Sequence, residues 1–197
     1  LAAAGNWEVT NRWQCDPRWS FFSGQNLDGV ACLWNKLPQG ENLSVDFFVG
    51  PKMDTGRGKK YEYAGDYALV LCADGQNINS GYSFIFGGWD NRGSQIVRRN
   101  SIVKENRDIK VTRSSAIHRQ WFHMKIRKEN SRLSFWVDGK LVAELDDPEP
   151  LKDRYFGIWT WKSEIMVAQL RISSQKHENA GAVLRRSKGL PATPYDE

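Results

Sequence analysis

A cluster of aromatic and polar side chains, Trp89, Asp90, Asn91 and Arg92, follows the apolar stretch GYSFIFGG near the middle of the chain. An aromatic ring can pack against the C–H face of a sugar, while a neighbouring carboxylate, amide or guanidinium group hydrogen-bonds its hydroxyls. The same residues can instead stabilise a loop. We expect a loop at the rim of a binding face, with Trp89 and Asp90 touching a ligand and Arg92 beside them.

Two more tryptophans, Trp159 and Trp161, lie two positions apart in GIWTWKSE. Residues i and i+2 of a strand point to one face, so the two rings share a face if this segment is a strand. The chain has nine tryptophans, a density that fits either a packed core or a ligand platform. Both interpretations of this pair remain open.

Other aromatic residues are weaker candidates for the same role. Trp13 and Trp19 flank the turn sequence CDPR, which places Arg18 beside a ring. In SFWVDGKLV the Asp-Gly pair predicts a tight hairpin, in which Trp136 is opposite Leu141 and Phe135 is opposite Val142. Because Phe135 and Trp136 cannot face the same core, one of them lines a groove on the other side of the sheet or is covered there by a helix or loop.

Catalysis would require carboxylates that meet in one groove. Asp66, Asp90 and Glu164 lie at predicted strand ends, where burial can raise the pKa of one carboxyl group for general-acid work. Exposed or structural carboxylates are the other interpretation. The three histidines (His118, His123 and His177) and the absence of a Gly-x-Ser-x-Gly elbow give no support for a nucleophilic triad.

The composition indicates one globular domain. The 197 residues are 40% hydrophobic and 12% aromatic. The formal net charge of +5 arises from basic residues interspersed with acidic ones, which argues against a nucleic-acid partner. No stretch approaches the ~20 apolar residues of a membrane span.

The three cysteines permit one internal disulfide, and a bridge between Cys15 and Cys32 is left open, while Cys72 is typical of a buried strand residue. The opening residues LAAAG fit either the remnant of a secretory signal or the edge of an excised domain. We expect a secreted, periplasmic or cell-envelope location.

Period-two alternation and turn residues dominate the chain, so the sequence predicts an all-β fold. The predicted strands are Trp7 to Arg12, Gly29 to Asn35, Leu43 to Val49, Asp66 to Ala73, Gly81 to Phe86, Gln95 to Asn100, Trp121 to Glu129, Arg132 to Asp138, Lys140 to Leu145, Tyr155 to Trp161 and Ile165 to Ser173. We expect a sandwich domain over residues 6–174 and a polar tail or linker over 175–197.

Three stretches resemble the concanavalin A-like lectin/glucanase superfamily, in particular its LamG-like and 3-keto-disaccharide hydrolase-like bacterial jelly rolls. They are NSGYSFIFGG, WFHMKIRKENSRLSFWVDGKLVAEL and YFGIWTWKSEIMVAQLRIS. The resemblance implies two antiparallel sheets in a jelly-roll sandwich and a carbohydrate partner. It does not choose between lectins, hydrolases, lyases and adhesion modules, which all use this fold.

The chain departs from two patterns of that superfamily. The ExDxE-type strand of its glucanases is absent, which argues against a glucanase of that kind. The resemblance also implies a structural calcium ion, with Asp16, Asp28, Asp54 or Asp90 as ligands, but no DxDxDG-like loop occurs. We therefore predict no cofactor and leave calcium open.

The leading hypothesis is a noncatalytic carbohydrate-binding module, part of a larger secreted or cell-envelope bacterial protein. Its ligand-binding candidates are Trp13, Arg18, Trp19, Trp89, Asp90, Arg92, Trp136, Trp159 and Trp161. A sugar-processing hydrolase using Asp66, Asp90 or Glu164 is the first alternative, and a protein-interaction or adhesion sandwich is the second.

Overall fold

A computed structural model of the chain describes residues 7–10, 21–51, 65–111 and 120–174. These residues form antiparallel β-strands joined by turns and short loops. In this part of the chain no helix has the length and apolar character needed to cross a membrane.

Eleven strands lie within the described residues. They are β1 Trp7–Thr10, β2 Phe21–Trp34, β3 Leu43–Pro51, β4 Tyr67–Ala73, β5 Tyr82–Gly87, β6 Gly93–Arg98, β7 Ser101–Asn106, β8 Phe122–Glu129, β9 Arg132–Val137, β10 Lys140–Asp146 and β11 Tyr155–Ser174. A 3-10 turn, Ile78–Ser80, precedes β5, and a four-residue turn, Gly88–Asn91, follows it.

The strands form two layers that share β2 and β11. The first layer, called here the groove sheet, contains residues 30–34 of β2, residues 155–161 of β11, and then β4, β5, β6 and β7 in that order. The second layer, called here the opposite sheet, contains β1, residues 21–26 of β2, residues 163–174 of β11, and then β3, β8, β9 and β10. All of these pairings are antiparallel.

The core lies between the two layers and is built by strict alternation. Along β4, Tyr67, Leu69 and Leu71 are fully buried in it, because residues i, i+2 and i+4 of a strand share one face. Phe84 of the groove sheet meets Phe135 of the opposite sheet with ring centroids 5.9 Å apart and an interplanar angle of 71°. This edge-to-face contact joins the layers across the middle of the sandwich.

A bulge at Lys162 bends β11 from one layer into the other. The pairing of β11 with β2 shifts between Trp161 and Ser163, and Lys162 has a positive φ of 46°. Opposite this point, the Asn26 side chain donates to the carbonyl of Val30 at 2.9 Å, which closes the matching bend of β2. An extra residue in one strand kinks it and re-aims its side chains, so Trp161 lies at the kink.

A buried polar network fastens the loop before β11 to the groove sheet. The Tyr82 hydroxyl donates to the carboxylate of Asp147 and accepts from the backbone N–H of Leu151 at 2.9 Å. The Arg98 Nε donates to the same carboxylate at 2.8 Å. Burial opposes ionisation of Asp147, but these hydrogen bonds and that of the Glu149 N–H outweigh it and hold the pKa of Asp147 below its ordinary value.

The structure confirms the all-β, two-sheet antiparallel sandwich and most of the predicted strands. Three details of the prediction were wrong. Strand β7 was not predicted, β2 begins at Phe21 rather than Gly29, and β11 is one bent strand where two were expected.

The register of the second hairpin also needs correction. Trp136 pairs with Leu141 as predicted, but Phe135 pairs with Ala143 instead of Val142, because a bulge inserts one residue into β10. The bulge lets Val142 turn into the core while Leu141 stays exposed. The described residues end at 174, so the expected tail over 175–197 lies outside them.

Candidate functional site

An open groove of about 1630 Å³ runs over the outer face of the groove sheet. The residues of β4 that point away from the core, Ala68 and Val70, pack under its floor with Ile85 of β5. The lining includes Asp66, just before β4, and Asp74, just after it, and eight residues of strand span roughly 25 Å at the usual rise. The groove is therefore longer than a single sugar ring.

Two indole rings form much of the floor. Trp159 of β11 and Trp34 of β2 belong to the same buried cluster, and only 6% of Trp159 is exposed. The buried Nε1 of Trp159 finds no acceptor among the described residues. A buried donor without a partner carries a desolvation cost, and here it belongs to a residue that lines the groove.

Trp161 adds a second, exposed ring on the same side of the strand. It is 47% exposed and lines the groove beside the bend at Lys162, whose ammonium nitrogen lies 5.7 Å from the centre of the indole ring. The shared face of Trp159 and Trp161 is confirmed. Trp159 both packs into a buried cluster and lines the groove, so a role in ligand binding stays a prediction.

The turn Gly88–Asn91 forms one end of the groove. Trp89, Asp90 and Asn91 all have positive φ, between 50° and 62°, and the turn closes when the N–H of Arg92 donates to the carbonyl of Gly88 at 3.0 Å. Three successive residues other than glycine in the left-handed region are strained, at about 1–3 kcal/mol each. The surrounding packing must maintain this shape.

Glycine makes that packing possible. Asn91 is 2% exposed, and its side-chain oxygen lies only 2.0 Å from the position that a Cβ at Gly65 would occupy. Gly87, with φ of +78°, has the same oxygen 2.9 Å and Val111 2.5 Å from its virtual Cβ. The buried Asn91 side chain therefore packs directly against the backbone of Gly65 and Gly87. Trp89 and Asp90 precede Asn91 in the turn that this packing holds in place.

Two carboxylates meet at this end of the groove. Asp66 precedes β4, and its backbone N–H donates to the carbonyl of Gly87 at 3.1 Å, immediately before the turn that carries Asp90. Burial, and next the negative charge of Asp90, raise the pKa of Asp66 to about 7. Asp66 is therefore partly protonated at neutral pH, while Asp90 is exposed to solvent at the groove rim.

The loop over residues 74–79 borders the other end of the groove, next to Tyr155 and Lys36. The Asp74 carboxylate accepts from the backbone N–H groups of Asn77 at 2.7 Å and Gln76 at 2.8 Å. These bonds, that of Asn77 foremost, lower the pKa of Asp74. Asp74 thus fixes the shape of its own loop.

The structure brings together six of the residues singled out in the sequence. The residues that line the groove are Asp66, Trp89, Asp90, Arg92, Trp159 and Trp161. Glu164 is buried further along β11 and does not line it. Trp136 lies on the outer face of the opposite sheet, with the Lys125 ammonium 5.7 Å from its ring. Trp13, Arg18 and Trp19 lie outside the described residues.

The sequence analysis missed Trp34 and Tyr155. Both line the groove, Trp34 because β2 pairs with β11 over residues 30–34 and Tyr155 because it begins β11. The high tryptophan count was the available signal. Sequence alone could not pair Trp34 with Gly157, since the two residues are far apart along the chain.

Among the described residues, thiol and histidine chemistry find no support at the groove, and His118 and His177 lie outside these residues. Cys32 lines it, but Cys32 and Cys72 are free and burial raises their pKa values to about 12 and about 11. Cys15 lies outside the described residues. His123 lies on the opposite sheet, 3.4 Å from Asp46. Within the described ranges no three His, Cys, Asp or Glu residues cluster as a metal site would require.

Comparisons with known proteins agree with this architecture. The family model of a domain of unknown function, DUF6250, matches residues 82–170. No curated protein sequence matches the chain. Among solved structures, the carbohydrate binding module CBM66 from Bacillus subtilis superposes with a TM-score of 0.57 at 16% identity, covering 86% of this chain and 96% of the module.

Two further similar structures are a Man-bound domain and a beta-glucanase. The exoplasmic/lumenal domain of VIP36 in its Ca2+/Man-bound form has a TM-score of 0.57 at 11% identity, covering 89% of this chain and 85% of that domain. The Bacillus licheniformis beta-glucanase has a TM-score of 0.50 at 9% identity, covering 88% of this chain and 94% of the enzyme. At these identities the likeness concerns the fold alone, and the chain has the two-sheet jelly-roll fold of these structures.

Proposed function

We propose that the protein binds carbohydrate in the groove of its groove sheet. The observation that carries this proposal is the convergence of aromatic rings and hydrogen-bonding groups on one open face. Trp34, Trp159 and Trp161 present rings there, and Trp89, Asp90 and Arg92 stand at one end. These groups come from three separate segments of the chain, β2, β11 and the turn after β5, so only the folded sandwich assembles them.

The groove combines apolar ring faces with hydrogen-bonding side chains, and a sugar ring needs both. The half-exposed indoles of Trp89 and Trp161 offer apolar faces to the C–H groups of a sugar. The carboxylate of Asp90 accepts hydrogen bonds from hydroxyls, and the guanidinium of Arg92 donates them. An open groove, rather than a closed pit, admits the interior of a polysaccharide chain as well as its end.

The similar structures add support of a coarser kind. Their printed names include a carbohydrate binding module, a Man-bound domain and a beta-glucanase. The proteins that share this fold therefore include several that bind or process carbohydrate. Of the alternatives from the sequence, hydrolysis is favoured by the meeting of Asp66 and Asp90, whereas adhesion to a protein has no specific observation in its favour.

The test is calorimetric titration of the purified protein with soluble neutral polysaccharides, including a β-glucan and a mannan. We expect Trp161→Ala to weaken binding at least tenfold. Trp136→Ala is the matched control, since it removes a tryptophan from the outer face of the opposite sheet. Equal binding by both variants, or no binding by the wild-type protein, would contradict the proposal.

A further inference from the structure

We infer that Asp66 and Asp90 form an acid–base pair that hydrolyses a glycosidic bond of a neutral polysaccharide lying in the groove. The inference rests on the proposed binding function and adds a chemical step to it. It assigns the general acid to Asp66 and the base to Asp90.

The geometry that supports the pair is the convergence of two unconnected segments. Asp66 comes from the start of β4 and Asp90 from the turn after β5, and both line the same end of the groove. The hydrogen bond from the Asp66 N–H to the Gly87 carbonyl joins the two segments. After burial, the negative charge of Asp90 is the next cause of the raised pKa of Asp66.

Both carboxylates stand on strained backbone. Asp66 has φ of 50° and Asp90 of 58°, in the left-handed region that residues other than glycine rarely adopt. Such strain persists only where the surrounding structure enforces it, and here the buried Asn91 between Gly65 and Gly87 does so. The two side chains therefore project from a rigid frame, as a pair that must act together requires.

An independent feature points to a bound molecule at this site. The indole Nε1–H of Trp159 is buried on the groove floor and has no acceptor among the described residues. Because this nitrogen has almost no accessible surface, the indole ring must shift on binding for a sugar hydroxyl to become its acceptor. The groove thus offers a ring-stacking surface, an unused donor and a carboxylate pair within one lining.

The environments of the two carboxylates divide the roles between them. Burial favours the neutral form of Asp66, and its pKa of about 7 leaves a transferable proton at neutral pH. Asp90 is exposed at the rim and within reach of water. Arg92, the cation of the same loop, also lines the groove there. Hydrolysis by direct attack of water requires one protonated and one ionised carboxyl group that flank the scissile bond and leave room for that water.

Hydrolysis of the glycosidic bond uses both carboxyl groups and one water molecule. The C–O bond of the glycosidic linkage breaks, and its electron pair goes to the leaving oxygen, which takes the proton of Asp66. A water molecule forms the new C–O bond to the anomeric carbon and gives its proton to Asp90. One water is consumed, two sugar ends with hydroxyl groups are produced, and proton exchange with solvent returns Asp66 to the acid form and Asp90 to the base form.

The experiment uses the full chain and the polysaccharide that it binds among a β-glucan and a mannan, with release of reducing ends as the measurement. We expect Asp66→Asn and Asp90→Asn to lower kcat by about 10²–10⁴-fold, while calorimetric titration shows binding within a fewfold of wild type. Asp46→Asn, a carboxylate on the outer face of the opposite sheet, is the matched control and should leave turnover unchanged.

The outcomes separate this inference from the proposed function. Binding by the wild-type protein without any release of reducing ends would overturn the inference and leave the binding function in place. Turnover that survives in both Asp66→Asn and Asp90→Asn would also overturn it. A protein that binds neither polysaccharide would overturn both. Turnover that falls above pH 7 and is lost in both variants supports the pair.

Discussion

The backbone N–H of Asp66 donates to the carbonyl of Gly87 at 3.1 Å, and this bond joins the segment of the half-buried Asp66 to the turn that carries the exposed Asp90. Two segments that are separate in sequence thereby present Asp66 and Asp90 to the same groove. The electrostatic coupling between them is a property of the free protein. It can be measured before any ligand is known.

Removing the charge of Asp90 should lower the pKa of Asp66. Burial is the larger cause of the raised value, and the charge of Asp90 comes second. In Asp90→Asn the pKa of Asp66 should therefore fall from about 7 but stay above the ordinary aspartate range. Carbon-detected NMR of the aspartate carboxyl groups across pH gives both values. An unchanged titration in the variant would mean that the two groups do not interact.

Asp66→Asn should stabilise the protein in a pH-dependent way. The pKa of Asp66 is raised in the folded state, so the folded state takes up protons more readily than the unfolded chain and wild-type stability declines as pH rises from about 4 to about 7. Asparagine does not ionise, so the variant does not lose stability in this way as pH rises. We expect its free energy of unfolding to exceed that of wild type by on the order of 2 kcal/mol at pH 8, with little difference at pH 3.

Urea denaturation at the two pH values checks this expectation. Asparagine also accepts the left-handed backbone that Asp66 adopts, which makes it a suitable replacement. A variant that is less stable than wild type at pH 8 would show that the ionised Asp66 is stabilised in the fold.

The two groove tryptophans should respond differently to truncation. Trp161 is 47% exposed, so Trp161→Ala should reduce binding with little loss of stability. Trp159 is 6% exposed and packs against Trp34, so Trp159→Ala should lower the free energy of unfolding by about 3–5 kcal/mol. Thermal and urea denaturation of the two variants measure the contrast. Equal losses would mean that Trp159 contributes little to packing.

Trp159→Phe isolates the indole donor from the packing. It keeps an aromatic ring on the floor and removes the buried N–H. If that N–H donates to a sugar hydroxyl, polysaccharide binding should weaken roughly fivefold, the equivalent of about 1 kcal/mol. Binding as tight as wild type in a folded Trp159→Phe would remove the donor from the account of the site.

Tyr82→Phe should weaken the attachment of the loop before β11 to the groove sheet. It removes the hydroxyl that donates to Asp147 and accepts from Leu151, which leaves buried groups unsatisfied at a cost of about 1–3 kcal/mol. The pKa of Asp147 is lowered in the fold, so its contribution is present at neutral pH and is lost as pH falls. The gap between wild type and variant in urea denaturation should therefore narrow toward pH 3. A difference in the free energy of unfolding that stays constant with pH would show that ionisation of Asp147 does not contribute to the effect of Tyr82→Phe.

The strands with one clear apolar face could be read from the sequence, and those without it could not. Alternation located β3, β4 and β8 to within two residues of their ends. Strand β7 was missed because most of its side chains are exposed, so its six residues carry no apolar face. The first half of β2 was missed because Gly24, Gln25 and Asn26 interrupt any pattern.

The candidate site was predictable where its residues are neighbours in sequence. Trp89, Asp90 and Arg92 share one turn, and Trp159 and Trp161 share one face of a strand, so residue types and spacing identified them. Trp136 is likewise an aromatic residue in a predicted strand. The side of the sandwich on which it lies depends on strand order, which cannot be read from the sequence. The meeting of Asp66 with Asp90 depends in the same way on how β4 pairs with β5.

The position of β11 has a consequence for folding during synthesis on the ribosome. This strand lies between β3 and β4 and pairs with β2 along both of its halves, yet it is the last strand of the described chain. Neither layer can close until residues 155–174 have left the ribosome. The nascent chain must therefore carry unpaired strand edges until β11 has emerged, and the sandwich forms only after that point.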